Sequence, residues 1–208
     1  MKRRFLILSL MIFLTGCAET LLVPAIAPPT ATYTVANEQK NHAFSDTSPK
    51  VQLLLLDDKR ESVKLVRSTT GFQGLLYHAT GWSIDSERPI NELITGKIAS
   101  HLEDYDIMAI AGENVNSTTH ALGGEIITFN LDKKGGFSGK WVANVDLKIF
   151  LKNSKANKVI EYYRVSGTAE KTNWGGANSG IDALNEALEI AIMELDMKSI
   201  QSILVQNQ

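Results

Sequence analysis

Residues 139–152, GKWVANVDLKIFLK, alternate in a way that decides the architecture. Trp141, Ala143, Val145, Leu147, Ile149 and Leu151 fall on one face of an extended chain, and Asn144, Asp146, Lys148 and Lys152 fall on the other, because successive side chains of a strand point to opposite sides. Such a strand has one dry face and one wet face, as in an antiparallel sheet covered on one side. Strand-like runs flank it at residues 125–131 and 158–171, joined through Asp132-Lys133-Lys134-Gly135-Gly136 and Asn153-Ser154-Lys155-Ala156-Asn157. Both connectors carry hairpin-turn chemistry, so the three runs read as a meander.

Toward the carboxyl end, Ile181, Leu184, Leu188, Ile192 and Leu195 recur at helical spacing. Ser179 is the expected cap, and Ala183, Ala187 and Ala191 form a small-residue flank that permits close approach to a sheet. Asp196 is placed to cap a further short helix carrying Ile200, Ile203 and Leu204. Toward the amino end, Ile90, Leu93, Ile94, Ile98 and Leu102 form an apolar stripe interrupted by Lys97. Asp85 or Ser86 is its expected cap, with Pro89 and Glu92 in the first turn. Asp104-Tyr105-Asp106 ends that helix, and Ile107-Met108-Ala109-Ile110 follows as a short strand.

Upstream, Val51-Gln52-Leu53-Leu54-Leu55-Leu56 reads as a strand buried on both faces, and Asp57-Asp58-Lys59-Arg60 as a turn. In residues 62–84, Val63, Leu65 and Val66 suggest a strand, while Gly71, Gly74 and Gly81 punctuate a loop or hairpin. The order strand, helix, strand, three antiparallel strands, helix predicts an α+β two-layer sandwich, a mixed and largely antiparallel sheet covered by two helices on one face.

The amino terminus supplies an address. Lys2, Arg3 and Arg4 precede an apolar run at residues 5–14, the layout of a signal peptide and too short for the roughly 20 residues of a membrane span. Leu14-Thr15-Gly16-Cys17 resembles a bacterial lipobox, with cleavage between Gly16 and Cys17. Cys17 is the single cysteine, so no disulfide forms within the chain. The resemblance implies a covalent lipid on Cys17, with several acyl chains at about 0.8 kcal/mol per buried methylene giving a lasting anchor. Ala18 then implies the outer membrane of a Gram-negative host, with the protein facing the periplasm.

Removal of residues 1–16 leaves 18 Lys and Arg against 23 Asp and Glu, a formal charge of −5. An acidic domain is a poor fit to nucleic acid and to anionic lipid. Residues 17–49 hold Pro24, Pro28, Pro29 and Pro49, four of the five prolines, and read as an extended or disordered tether. Within it, Leu21-Leu22-Val23 has the alternative of lying on the membrane or on the domain. The expected organisation is therefore a signal peptide at 1–16, an acylated tether at 17–49 and a globular domain at 50–208.

The lipobox, the tether, the strand ending in Asp57-Asp58-Lys59-Arg60, the Tyr105 turn, Tyr162-Tyr163-Arg164 with Gly167, and the Ala-rich closing helix together resemble the YajG-type bacterial lipoproteins. Those are similar in layout to the auxiliary lipoproteins of ABC-type lipid transport. The resemblance implies a small envelope lipoprotein with no catalytic residues to carry over.

Residue chemistry adds no catalytic or metal centre. His42, His78, His101 and His120 lack metal-ligand spacing. Asp57-Asp58 reads as a turn rather than an acid–base pair. Trp174-Gly175-Gly176 reads as a helix-entry loop, since the Lys-Ser/Thr of a phosphate loop is missing. Two function classes remain. One is a non-catalytic interaction module that holds a protein partner in the envelope through loops or the strand edge near Ile107 and Ile110. The other handles lipid or another hydrophobic ligand along Phe72, Leu75, Leu76, Tyr77 and Trp82. No cofactor is expected beyond the covalent lipid.

Overall fold

The alternation of residues 139–152 is realised as the central span of a long antiparallel hairpin system. The computed structural model describes residues 31–33, 43–45, 47–62, 65–69, 84–86, 88–111, 118–135, 139–172 and 176–206. In chain order these form β1 (Ala31–Tyr33), β2 (Lys50–Leu53), β3 (Asp57–Asp58), β4 (Val66–Thr69), β5 (Ile84–Ser86), α1 (Ile90–Glu103), β6 (Met108–Ala111), β7 (His120–Lys134), β8 (Lys140–Asn153), β9 (Lys158–Thr172), α2 (Ala177–Met193) and α3 (Met197–Gln206). The main sheet has seven strands in the order β6-β2-β7-β8-β9, with β3 and β4 also on β7.

β7 organises the sheet. One of its edges pairs antiparallel with β8, and the other takes β2, β3 and β4 in succession, all parallel, with Gln52 opposite Ala121, Asp57 opposite Glu125 and Val66 opposite Leu131. β6 closes the outer side of β2 in parallel register, Lys50 opposite Met108. The sheet is thus mixed, antiparallel in the meander and parallel beyond it. α2 packs across β8 and β9, and α1 packs against β3 and β6, giving the α+β two-layer arrangement expected from the sequence.

The dry face of β8 is buried throughout, from Trp141 to Leu151. It meets Leu184, Leu188 and Ile192 of α2, and one core also takes in Ile94, Ile98 and Leu102 of α1. α3 adds Met197, Ile200 and Leu204. Its cap is the expected one: Ser199 N–H donates to Asp196 Oδ1 at 3.0 Å.

Several boundaries differ from the sequence expectation. β7 runs over 120–134 rather than 125–131. Gly123 and Gly124 lie inside the strand, where a Cβ on Gly124 would stand 2.5 Å from the Lys148 carbonyl oxygen. Asp57-Asp58 is not a turn but β3, paired with β7. Ser179 lies inside α2, which starts two residues earlier behind Gly176 at φ +61°. Asp85 and Ser86 belong to β5, and Pro89 takes the N-cap position of α1 with no side-chain cap. The strand expected at 107–110 is displaced by one residue, with Ile107 fully buried beneath it.

Part of the expected tether also joins the fold. β1 pairs in parallel with β5, and Ser48 and Pro49 are buried. Ser48 Oγ donates to Asp106 Oδ1 at 3.0 Å, and Met108 N–H donates to the Pro49 carbonyl at 2.8 Å.

Candidate functional site

A sheet edge exposes backbone groups that must be paired, blocked or left as a docking strip. Among the described residues the main sheet ends in β6 on one side and β9 on the other, and the short β3 and β4, paired only with β7, leave their outer sides open as well. β6 reads Met-Ala-Ile-Ala, four residues without charge, proline or glycine, and Met108, Ala109 and Ile110 are half-buried while Ala111 is exposed. Among the described residues its strand partner is β2. β9 differs in being fifteen residues long, bulged near Ile160 where Leu151 and Lys152 pair with Glu161 and Val159, and lined by Glu161, Arg164 and Glu170. Charge and bulging discourage addition of a segment that lacks complementary charge; an uncharged short edge permits it.

On the wet face, Arg164 Nη2 donates to Asp146 Oδ2 at 2.7 Å and Lys140 Nζ to Glu170 Oε2 at 3.0 Å. Phe150 and Tyr162 meet edge to face at 6.5 Å, and Lys148 Nζ lies 5.2 Å from the Tyr162 ring centroid.

Other groups with chemical potential among the described residues are held in structural contacts. Asp58 is held by Arg60, whose Nε and Nη2 reach its carboxylate at 2.8 and 2.7 Å. That hydrogen bonding lowers the Asp58 pKa, the reverse of what a general acid requires. Asp57 pairs with Lys59 at 2.6 Å. His101 packs edge to face on Tyr105 at 5.3 Å, and His120 is buried at the start of β7 with Nδ1 2.9 Å from Thr119 Oγ1. No group of three metal-ligating side chains occurs among the described residues.

Lys133 was concealed in the sequence. Read as part of a hairpin connector, it is instead a strand residue 2% exposed, opposite Trp141, with Nζ 4.8 Å from the Trp141 ring centroid. Burial pushes its amine down to about 8. Trp141 Nε1 donates to the Gly176 carbonyl at 2.8 Å, so the indole joins the cation to the start of α2.

Gly16 and Cys17 of the lipobox lie outside the described residues, as do Phe72, Leu75, Leu76, Tyr77 and Trp82, His42, His78 and the loop residues Trp174 and Gly175. No described helix is long and apolar enough to cross a membrane.

The class these observations define is an α+β domain with an antiparallel meander under helices. A Xanthomonas campestris protein described by the family model DUF330 has a similar fold, with a TM-score of 0.57 at 16% identity over 86% of this chain and 99% of that one. Also similar are a protein from Chlamydia trachomatis, TM-score 0.46 at 11% identity over 77% and 99% of the two chains, and a minor lipoprotein from Acinetobacter baumannii, TM-score 0.37 at 9% identity over 77% and 94%. No protein-family model matches the sequence, and no curated protein matches it.

Proposed function

We propose that the chain is an outer-membrane lipoprotein, acylated at Cys17, whose periplasmic domain recruits a protein partner without catalysing a reaction. The observation that carries the reading is β6, an uncharged edge strand with one paired side among the described residues. An extended segment of the partner adds to it, main-chain hydrogen bonds supplying affinity and the alternating Met108 and Ile110 side chains supplying selectivity. The lipobox supports the anchor. The ion pairing of Asp57 and Asp58 supports a non-catalytic role.

The test is a photo-crosslinking residue placed at Met108 or Ala111 in the full chain in intact cells, with Lys155 on the β8–β9 hairpin as the control position. A discrete protein adduct at the β6 positions, missing at Lys155, is the expected result. Adducts to lipid alone at β6 would favour the hydrophobic-ligand alternative, and no adduct would remove the edge from consideration.

A further inference from the structure

The opposite edge of the sheet carries a device of its own. Ser166 N–H donates to Glu194 Oε2 at 3.0 Å, although Ser166 stands opposite Asp146 of β8. Its backbone therefore faces away from β8, toward the open side. By the two-residue period of a strand, the N–H and C=O groups of Tyr162, Arg164, Thr168 and Glu170 face the same way. Glu194 is the C-cap residue of α2, and it reaches the strand because α2 is seated so tightly there. A Cβ on Gly167 would stand 1.9 Å from the Ala187 carbonyl oxygen and 2.8 Å from Ala191 N. Buried Leu195 fixes the next residue of the chain. The carboxylate thus lies across the middle of a fifteen-residue edge.

We propose that Glu194 is an edge guard that keeps β9 from pairing with a second copy of this chain, and that withdrawing its carboxylate opens an antiparallel β9–β9 interface centred on Gly167. The occupant follows from the charge pattern. β9 laid antiparallel on itself about Gly167 sets Arg164 against Glu170 of the second copy, twice by symmetry, with Ser166 against Thr168 and Tyr162 against Thr172. Opposite charges facing each other across strands favour the pairing. Their present partners, Asp146 and Lys140, form exposed ion pairs on the same wet face that rearrange at little cost. Ile160 and Tyr162, 41% and 57% exposed, add apolar surface beside the strip. This edge is distinct from β6, so the inference stands apart from partner recruitment.

Sedimentation of the full chain in detergent tests it. Wild type and Glu194→Gln, which keeps an acceptor for the Ser166 amide, should be monomeric, whereas Glu194→Ala should dimerise with concentration. Adding Arg164→Glu to Glu194→Ala should return the monomer, and adding Glu170→Arg as well should restore the dimer. A Glu194→Ala chain that keeps its circular dichroism spectrum yet stays monomeric at its highest soluble concentration overturns the interface. Amide exchange in the wild type tests the guard without any substitution: the Ser166 amide should exchange more slowly than those of Arg164 and Thr168. Equal rates at the three positions overturn the guard.

Discussion

Lys133 places an ammonium group at a buried position of a central strand, between Trp141 of β8 and Thr69 of β4, where an apolar side chain would ordinarily sit. The Trp141 ring face offsets part of the desolvation, but burial still pushes the amine from 10.5 to about 8. An unfolded lysine stays protonated to about pH 10.4. Between the two values the unfolded chain binds more protons, so this residue's contribution to stability rises with pH across that window. The stability of Lys133→Met relative to wild type should therefore decline from pH 8 upward, by at most about 3 kcal/mol near pH 10.5, as measured by chemical denaturation. A constant difference across the window would contradict the buried, desolvated ammonium. His120 acts at the other end of the scale. Burial lowers its pKa below 6.5, so as pH falls past that value the unfolded state takes the proton first and stability is lost. His120→Gln should flatten this acid limb. Neither role was legible in the sequence, since Lys133 sits among Asp and Gly in a turn-like run and a lone histidine has no periodicity to betray its burial.

At the scale of elements, α2 is seated closely on β9, with the Ala187 carbonyl oxygen 1.9 Å from where a Cβ on Gly167 would stand. The Ala183, Ala187 and Ala191 flank was legible because small residues at spacing four leave one helix face flat. What the sequence did not reveal was the counterpart, since Gly167 lies in an otherwise ordinary strand and its reason is the backbone of Ala187 and Ala191, 20 and 24 residues further along. Gly167→Ala would drive a methyl into the Ala187 carbonyl. The helix must lift or the strand must bend, and overpacking of this kind costs about 3 kcal/mol. Urea unfolding should show a lowered midpoint of that size, and a variant as stable as wild type would mean that α2 sits further from the sheet. The same contrast explains the caps. Asp196 capping Ser199 is local and was readable, whereas the start of α2 at Gly176 is set by a hydrogen bond from Trp141 thirty-five residues away.

Across the whole molecule, the meander was legible because its contacts are between neighbours in sequence and its alternation is long. The parallel half was less so: β2, β3 and β4 are two to four residues each, and their strand identity comes from β7 rather than from their own pattern. β1 matters for reach. Cys17 lies 14 residues before Ala31, which bounds the extended leash at roughly 50 Å while β1 stays paired with β5, against roughly 110 Å if the leash ran to Lys50. An anchor at Cys17, as proposed, would thus limit where β6 meets a partner. Cys17→Ser should abolish incorporation of a fatty-acid probe and leave the precursor uncleaved between Gly16 and Cys17. Persistent labelling would refute acylation at this residue. The domain should keep its circular dichroism spectrum, because its core comes from residues beyond Lys50, so any loss of β6 crosslinks in that variant reports misplacement rather than misfolding. Retained crosslinks at full yield would show that the partner is met without the anchor.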